Sequence, residues 1–283
     1  MAPCNDAVTN IGNCENKVES IIRIRHKKER PMKKLKFHNL SQPIEMGIPI
    51  WPWVGQMQDV VIERMLYHER DGKQSAVFHC KMHTSTHMDA PFHVIGTGKG
   101  IDEIPLSSCF GTGAIVDLRY KKKWDIIGPE DFEKAKPKIK KGDWVIVNTG
   151  WHHKWNDHYV YINHFPGLYK EGAEWLVEKG IKGFGITGGA LDSPLAHAPL
   201  SKIMPWLDAE YKRETGEDPE EKWPLYEPAH FLLLGNLIPG IENVGGEVDK
   251  ITGKRVTIAA FPLNWIHGDG SMIRIVAIEG LNL

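Results

Sequence analysis

The sequence predicts a single mixed α/β domain, rich in strands with a few helices between them. Three observations predict it. Short alternating or wholly apolar runs recur along the chain and outnumber the helical patterns. With 28 glycines and 18 prolines among 283 residues, the segments between those runs are rich in turns. Beyond residues 1–34, neither an internal repeat nor a linker divides the chain.

Residues 1–34 stand apart. They begin polar and become basic (Arg23, Arg25, His26, Lys27, Lys28, Arg30, Lys33, Lys34), the pattern of a solvated or disordered tail. The folded domain is expected over 35–283. It opens with an alternating strand at 35–40, followed by proline-rich turns through Trp51 and Trp53. Runs at 60–67 and 75–82 flank Asp71-Gly72, a hairpin signal. Residues 114–118 and 143–148 read as buried strands. Between them, 129–136 reads as a short helix with proline in its first turn. Residues 171–179 form an amphipathic helix closed by Gly180 and leading into a strand at 183–187. Residues 206–224 are charged, helix-prone and insertion-like. A helix at 226–234 and strands at 256–262 and 272–278 complete the domain.

Composition excludes several classes. The chain is 41% hydrophobic, enough for a sizeable core, and its net charge of −1 supplies no field toward nucleic acid or an anionic membrane. No apolar run is long enough to span a bilayer, and the first residues lack the apolar stretch of a signal peptide. A cytoplasmic protein is expected. The four cysteines show no C-x-x-C spacing, and Cys80 and Cys109 read as small buried hydrophobes.

The segment 81–93 carries the chemistry. His83, His87, Asp89 and His93 place three imidazoles and a carboxylate within eleven residues, and these are the usual ligands of zinc, manganese and iron(II). The small β-branched residues between the histidines, and Pro91 after them, point to a strand running into a tight loop. Two imidazoles and one carboxylate leave coordination positions open, which marks a catalytic rather than a structural metal. His93 is a fourth ligand or a general acid/base. The spacing is not H-E-x-x-H.

At these residues the chain resembles the cyclase family of metal-dependent hydrolases, which includes bacterial kynurenine formamidase and isatin hydrolase. The family signature H-x-G-T-H-x-D-x-P-x-H stands here as His83-Thr84-Ser85-Thr86-His87-Met88-Asp89-Ala90-Pro91-Phe92-His93. Only Ser85 departs from it, and it is expected to bend the loop slightly differently. Residues 38–44, 141–151 and 269–274 resemble the family's D-L-S-x-P-I, G-D-x-V-L-x-x-T-G-W and D-G-x-P-x-R segments. Thr187 stands where the family often has aspartate. The resemblance implies that His83, His87 and Asp89 bind the metal and that His93 is the acid/base. It also implies that His230 and Glu242, twelve residues apart, complete a second site. The cofactor would be one or two divalent ions, manganese or zinc, and the assembly a homodimer or larger.

Trp51, Trp53, Phe92 and Trp151 flank these segments and are candidates to stack on a flat, ring-bearing small substrate. His152 and His153 border the same region or are solvated. The glycines at 183, 185 and 188 match a dinucleotide fingerprint but lie within a strand with no helix following. The glycines at 96, 98 and 100 lack phosphate-loop spacing, and no G-x-S-x-G elbow occurs. The expected activity is hydrolysis of an amide C–N bond in a small open-chain or cyclic substrate. The rivals are ester or lactone hydrolysis at the same site, and a non-enzymatic binding protein of the same fold.

Overall fold

Side chains on a strand alternate between its faces, and the central strands of this chain are apolar on both. In β5 (Phe110–Asp117) and β7 (Trp144–Asn148), Ile115, Trp144 and Ile146 enter one core while Ala114, Val116, Val145 and Val147 enter another. Burial on both faces is why 143–148 is an unbroken apolar run. β9 (Gly183–Ile186) sends Phe184 and Ile186 into the second core. A Cβ on Gly183 would stand 2.5 Å from the Trp144 ring. The first glycine of the fingerprint-like spacing therefore makes room for a tryptophan.

The computed structural model describes residues 34–52 and 59–281. Apart from Lys34, the tail expected at 1–34 lies outside the described residues, as does Trp53. Nine strands form one sheet in the order β1 (Lys36–Asn39), β13 (Val276–Glu279), β11 (Arg255–Ala259), β5, β7, β9, β10 (Gly240–Glu242), β4 (His87–Asp89) and β12 (Gly270–Met272). The run from β5 to β10 is parallel, and antiparallel strands extend it on both sides. The expected hairpin is present as β2 (Val61–Leu66) and β3 (Ser75–His79), and a short pair joins β6 (Ile126–Ile127) to β8 (Gly167–Leu168).

The helices that position the site are α1 (Pro129–Glu133), α2 (Lys170–Lys179), α3 (Pro205–Thr215), α4 (Pro228–Gly235) and α5 (Val248–Ile251). Ala173 and Leu176 of α2 pack with Ala229 and Leu233 of α4 in the second core. Pro228 opens α4, where its missing N–H costs nothing. Helix α3 and a helical turn at Pro219–Lys222 account for the insertion-like segment. Leu207, Tyr211 and Trp223 from it build a separate cluster that Trp51 packs against.

Two expectations need correction. The run at 272–278 is not one strand but parts of two, β12 at one edge of the sheet and β13 next to the other edge. Residues 273–275 carry the chain between those positions, and Ile273 and Ile275 fill the first core on the way, so apolar periodicity continues where strand pairing does not. The Asp71-Gly72 turn is also not a two-residue hairpin loop. A helical turn, His68–Asp71, precedes Gly72, which closes it at φ 68°.

Met88 is fully buried in the first core from the middle of β4. Met88→Ala should lower unfolding free energy by about 2–5 kcal/mol, read by denaturant titration. A cost under 1 kcal/mol would show that β4 is not held by that packing.

Candidate metal centre

β4 is flanked on both sides by antiparallel partners. The register sets His87 opposite Glu242 of β10 and Met272 of β12, and Asp89 opposite Gly240 and Gly270. His87 and Asp89 share one face of the strand while Met88 turns to the core. The missing side chain at Gly270 is needed, because a Cβ there would lie 2.7 Å from the His83 ring.

Asp89, fully buried, is the hub of the cluster. Its Oδ1 lies 2.8 Å from His83 Nδ1 and 3.3 Å from His87 Nε2, and its Oδ2 lies 3.7 Å from His230 Nε2. Glu242 spans the other side, with Oε2 at 3.3 Å from His87 Nε2 and Oε1 at 3.0 Å from His230 Nε2. The His93 ring stacks on His83 at 4.0 Å and stands 5.9 Å from His230. The structure thus brings together His83, His87, Asp89, His93, His230 and Glu242.

Each imidazole is aimed by its other nitrogen. His83 Nε2 faces the Asp269 carboxylate at 3.0 Å, His87 Nδ1 meets the Ser85 carbonyl at 2.9 Å, and His230 Nδ1 meets Asp192 Oδ2 at 2.7 Å. Asp192 also accepts the N–H groups of Ala229 and His230 in the first turn of α4, so one buried carboxylate both holds the helix start and orients its histidine. Ser85 takes a left-handed φ of 55°, the conformation glycine adopts most readily. The serine keeps that turn at a cost in strain, and its carbonyl fixes His87.

Burial works against every charge here, and opposite charges overcome it at every member of the cluster except His93. Against desolvation, Asp89 and Glu242 raise His87 to about 10. His230 is likewise raised well above the usual imidazole value by Asp192 and Glu242. Asp89 is held well below the usual carboxylate value by His87 and His83 despite its burial. Protons on His87 and His230 thus balance the buried acids. A divalent cation would do so without them, since metal ligands must be deprotonated.

The donor set fits such a cation. Ligand atoms of His83, Asp89 and His93 lie within 4.8 Å of one another, as do those of His87, Asp89 and Glu242. Asp89 belongs to both groups. Neither of its oxygens, nor His87 Nε2, makes a well-directed hydrogen bond although all three atoms are buried. Buried polar atoms that approach closely without bonding leave lone pairs for an ion to use.

All of these groups but Asp89 line a cavity of about 430 Å³ whose wall also includes Trp51, Lys81, His197 and Glu227. Of the candidate aromatics, Trp51 lines the cavity. Phe92 and Trp151 do not. Phe92 is 40% exposed on the turn Pro91–His93, outside the cavity wall. Trp151 packs with Trp155, Tyr161 and Phe165 and donates its indole N–H to the Tyr161 carbonyl. His152 and His153 do not border the cavity either. Thr187, the departure from the family pattern, bonds Thr149 between the ends of β7 and β9 and is likewise absent from the wall.

Sequence reasoning assigned no role to Asp192, Asp269, His197 or Glu227. Asp269 opens the family-like segment 269–274, which was the available signal. Glu227, at φ 42° before α4, faces His197 Nδ1 at 3.0 Å, and the His197 ring lies 4.8 Å from Trp51. Neighbouring His197, His230 and His93 hold Glu227 ionised, at about 2, against the effect of its burial. Nothing local in the sequence marks this pair, because residues 197 and 227 meet only through the fold.

Comparison with known proteins bears on the family and the fold. A family model described as putative cyclase matches residues 38–193. The chain is 26% identical to a kynurenine formamidase of Bacillus anthracis over 246 residues, covering 87% of this chain and 98% of the relative. It is 27% identical to an isatin hydrolase of Roseibium aggregatum over 213 residues, 69% of this chain and 71% of the relative. Isatin hydrolase A from Ralstonia solanacearum superposes with a TM-score of 0.69 at 20% identity, over 98% of this chain and 99% of that one, a likeness of fold.

His87→Ala should lower bound metal and activity together, measured by elemental analysis and turnover; full metal occupancy in this variant would contradict its place in the ligand set. Asp192→Asn should leave the fold intact but cost about 10–100-fold in metal affinity or activity, because His230 loses the partner that aims it. Unchanged affinity and unchanged activity would show that Asp192 serves only the helix start.

Proposed function

The chain belongs to the putative cyclase family, and from that premise we propose that it is a metal-dependent hydrolase of an amide C–N bond in a small, ring-bearing molecule, with residues 35–283 as the hydrolase domain. The observation that carries this reading is the buried Asp89 carboxylate, whose oxygens make no well-directed hydrogen bond, set amid His83, His87, His230 and Glu242, which line the cavity. The names of the relatives, kynurenine formamidase and isatin hydrolase, support a hydrolase.

A divalent cation bound there would supply Lewis acidity, lowering the pKa of water and polarising a carbonyl. His83, His87, Asp89, His230 and Glu242 would hold one ion or two, with Asp89 common to both donor groups. Imidazole and carboxylate donors suit zinc or manganese, and these are the ions we propose.

His93 would move the proton. Burial, foremost, lowers its pKa, so the ring is neutral at pH 7 and ready to accept a proton from the attacking water. Stacked on His83, it is held over the ligand cluster, and it can return that proton to the leaving nitrogen. Trp51 offers a flat face to a ring. Its position is fixed by Lys81, whose Nζ donates to the Trp51 carbonyl at 2.8 Å. Asp192, Asp269 and the Ser85 carbonyl keep the imidazoles from turning, so little reorganisation is needed as charge develops.

We further infer a cytoplasmic enzyme that works as a homodimer or larger assembly. Met65, Val77 and Phe78, exposed apolar side chains on the β2–β3 hairpin, support the assembly.

His93→Ala should retain metal while losing about 10²–10⁴ in rate, measured as turnover of metal-loaded protein on a panel of N-formyl arylamines, lactams and cyclic imides. Matched lactones in the same panel decide between amide and ester cleavage. A metal-loaded wild type inert toward the whole panel would overturn the hydrolase reading.

A further inference from the structure

Outside the cavity, the structure assembles a second set of metal donors. We propose that His152, His153 and Asp249 bind a divalent transition-metal ion at a site separate from the hydrolytic centre. His152 and His153 lie on the helical turn Trp151–Lys154 that follows β7, and Asp249 lies on α5. More than ninety residues separate them in sequence. The end of β7 and the turn after β10 bring them together.

The two imidazoles converge on one oxygen. His153 Nε2 stands 2.8 Å and His152 Nε2 3.3 Å from Asp249 Oδ2, with ring centroids 4.0 Å apart. The other carboxylate oxygen is already engaged, since Asn148 donates its Nδ2 to Asp249 Oδ1 at 2.8 Å and bonds Thr252 Oγ1 at the same distance. Asn148 is fully buried at the end of β7. It holds the carboxylate in one orientation and leaves Oδ2 to the histidines, the arrangement by which an outer partner orients a metal ligand.

The charge balance admits a cation. Arg119 is the nearest positive group, with Nη1 at 3.8 Å from Asp249 Oδ1. Its guanidinium is paired with Asp117 through Nε at 2.8 Å and Nη2 at 2.6 Å, which neutralises it. With neutral imidazoles, Asp117, Asp249 and Arg119 sum to one negative charge.

Two imidazoles and one carboxylate select zinc, nickel, copper or cobalt over magnesium or calcium. The His153 side chain is 63% exposed while His152 is buried, so an ion can enter from solvent onto a half-fixed site. Once bound, it would tie the turn Trp151–Lys154 to α5. Trp151 and Trp155 of that region pack with Tyr161 and Ile162, and Ile162 lines the cavity. The ion would therefore brace the wall behind the active site and stabilise the fold by mass action.

The test counts ions on the full chain and does not depend on the substrate. Metal-free protein is dialysed against Ni²⁺ and bound nickel is measured. Wild type should bind one equivalent more than His153→Ala, and Asp249→Asn should lose the same equivalent. Loaded with Cu²⁺, wild type should show an additional imidazole-coordinated copper signal by electron paramagnetic resonance, absent in His153→Ala. Hydrolysis by manganese-loaded His153→Ala should match wild type. Equal nickel stoichiometry in wild type and both variants would overturn the proposal. So would loss of the equivalent together with hydrolysis, because the ion counted would then be the one at Asp89.

Discussion

The register between β4 and β10 is the constraint on which the site rests. It sets Glu242 directly across from His87 and clears Asp89 with glycine on either side. Opposed residues in an antiparallel pair have Cβ atoms about 4.5–5.5 Å apart, close enough for an imidazole and a carboxylate to share an ion. A slip of one residue would turn Met88 into the cavity and drive His87 and Asp89 into the apolar core. Burying Met88 and gathering His87 and Asp89 beside Glu242 are therefore one event, and the hydrophobic effect selects the register that assembles the cluster.

Around that register the fold spends polar groups on orientation. Asp269 on His83, the Ser85 carbonyl on His87 and Asp192 on His230 each occupy the nitrogen that points away from Asp89. Backbone strain gathers in the same place. Ser85, Glu227 and Asn243 all take positive φ, and all three line the cavity. Asn243 is held there by the Tyr161 hydroxyl, and its carbonyl accepts from Thr86 just before β4. Strained residues persist only where the surroundings over-determine them, and here those surroundings are the ligand cluster itself.

The same logic, an imidazole pair meeting a carboxylate clamped from behind, recurs at His152, His153 and Asp249 with a different consequence. At Asp89 every candidate ligand is deeply buried or lines the cavity, and two acids compete for protons. At Asp249 one histidine lies in solvent and a single acid is present. Burial and acid count, more than ligand identity, separate a centre suited to activating water from one suited to bracing a turn.

Read alone, the chain determined what is local. His83, His87, Asp89 and His93 fall within one short segment, so their convergence needed only a strand and a turn, and both are written in the β-branched residues, the small residues and Pro91. The central strands were legible because burial on both faces leaves an unbroken apolar run, and helix ends because Gly180 and Pro129 mark them. His230 and Glu242 were reachable through the resemblance, not through any local pattern. What only the tertiary structure decided is what distant segments do when they meet. It paired Asp192 with His230, Asp269 with His83 and Glu227 with His197, sent Phe92 outward and Trp151 into packing, and split 272–278 between two places in the sheet order. Hydrophobic periodicity reports whether a side chain is buried, but not against what, and only the folded contact tells a core aromatic from one that faces a substrate.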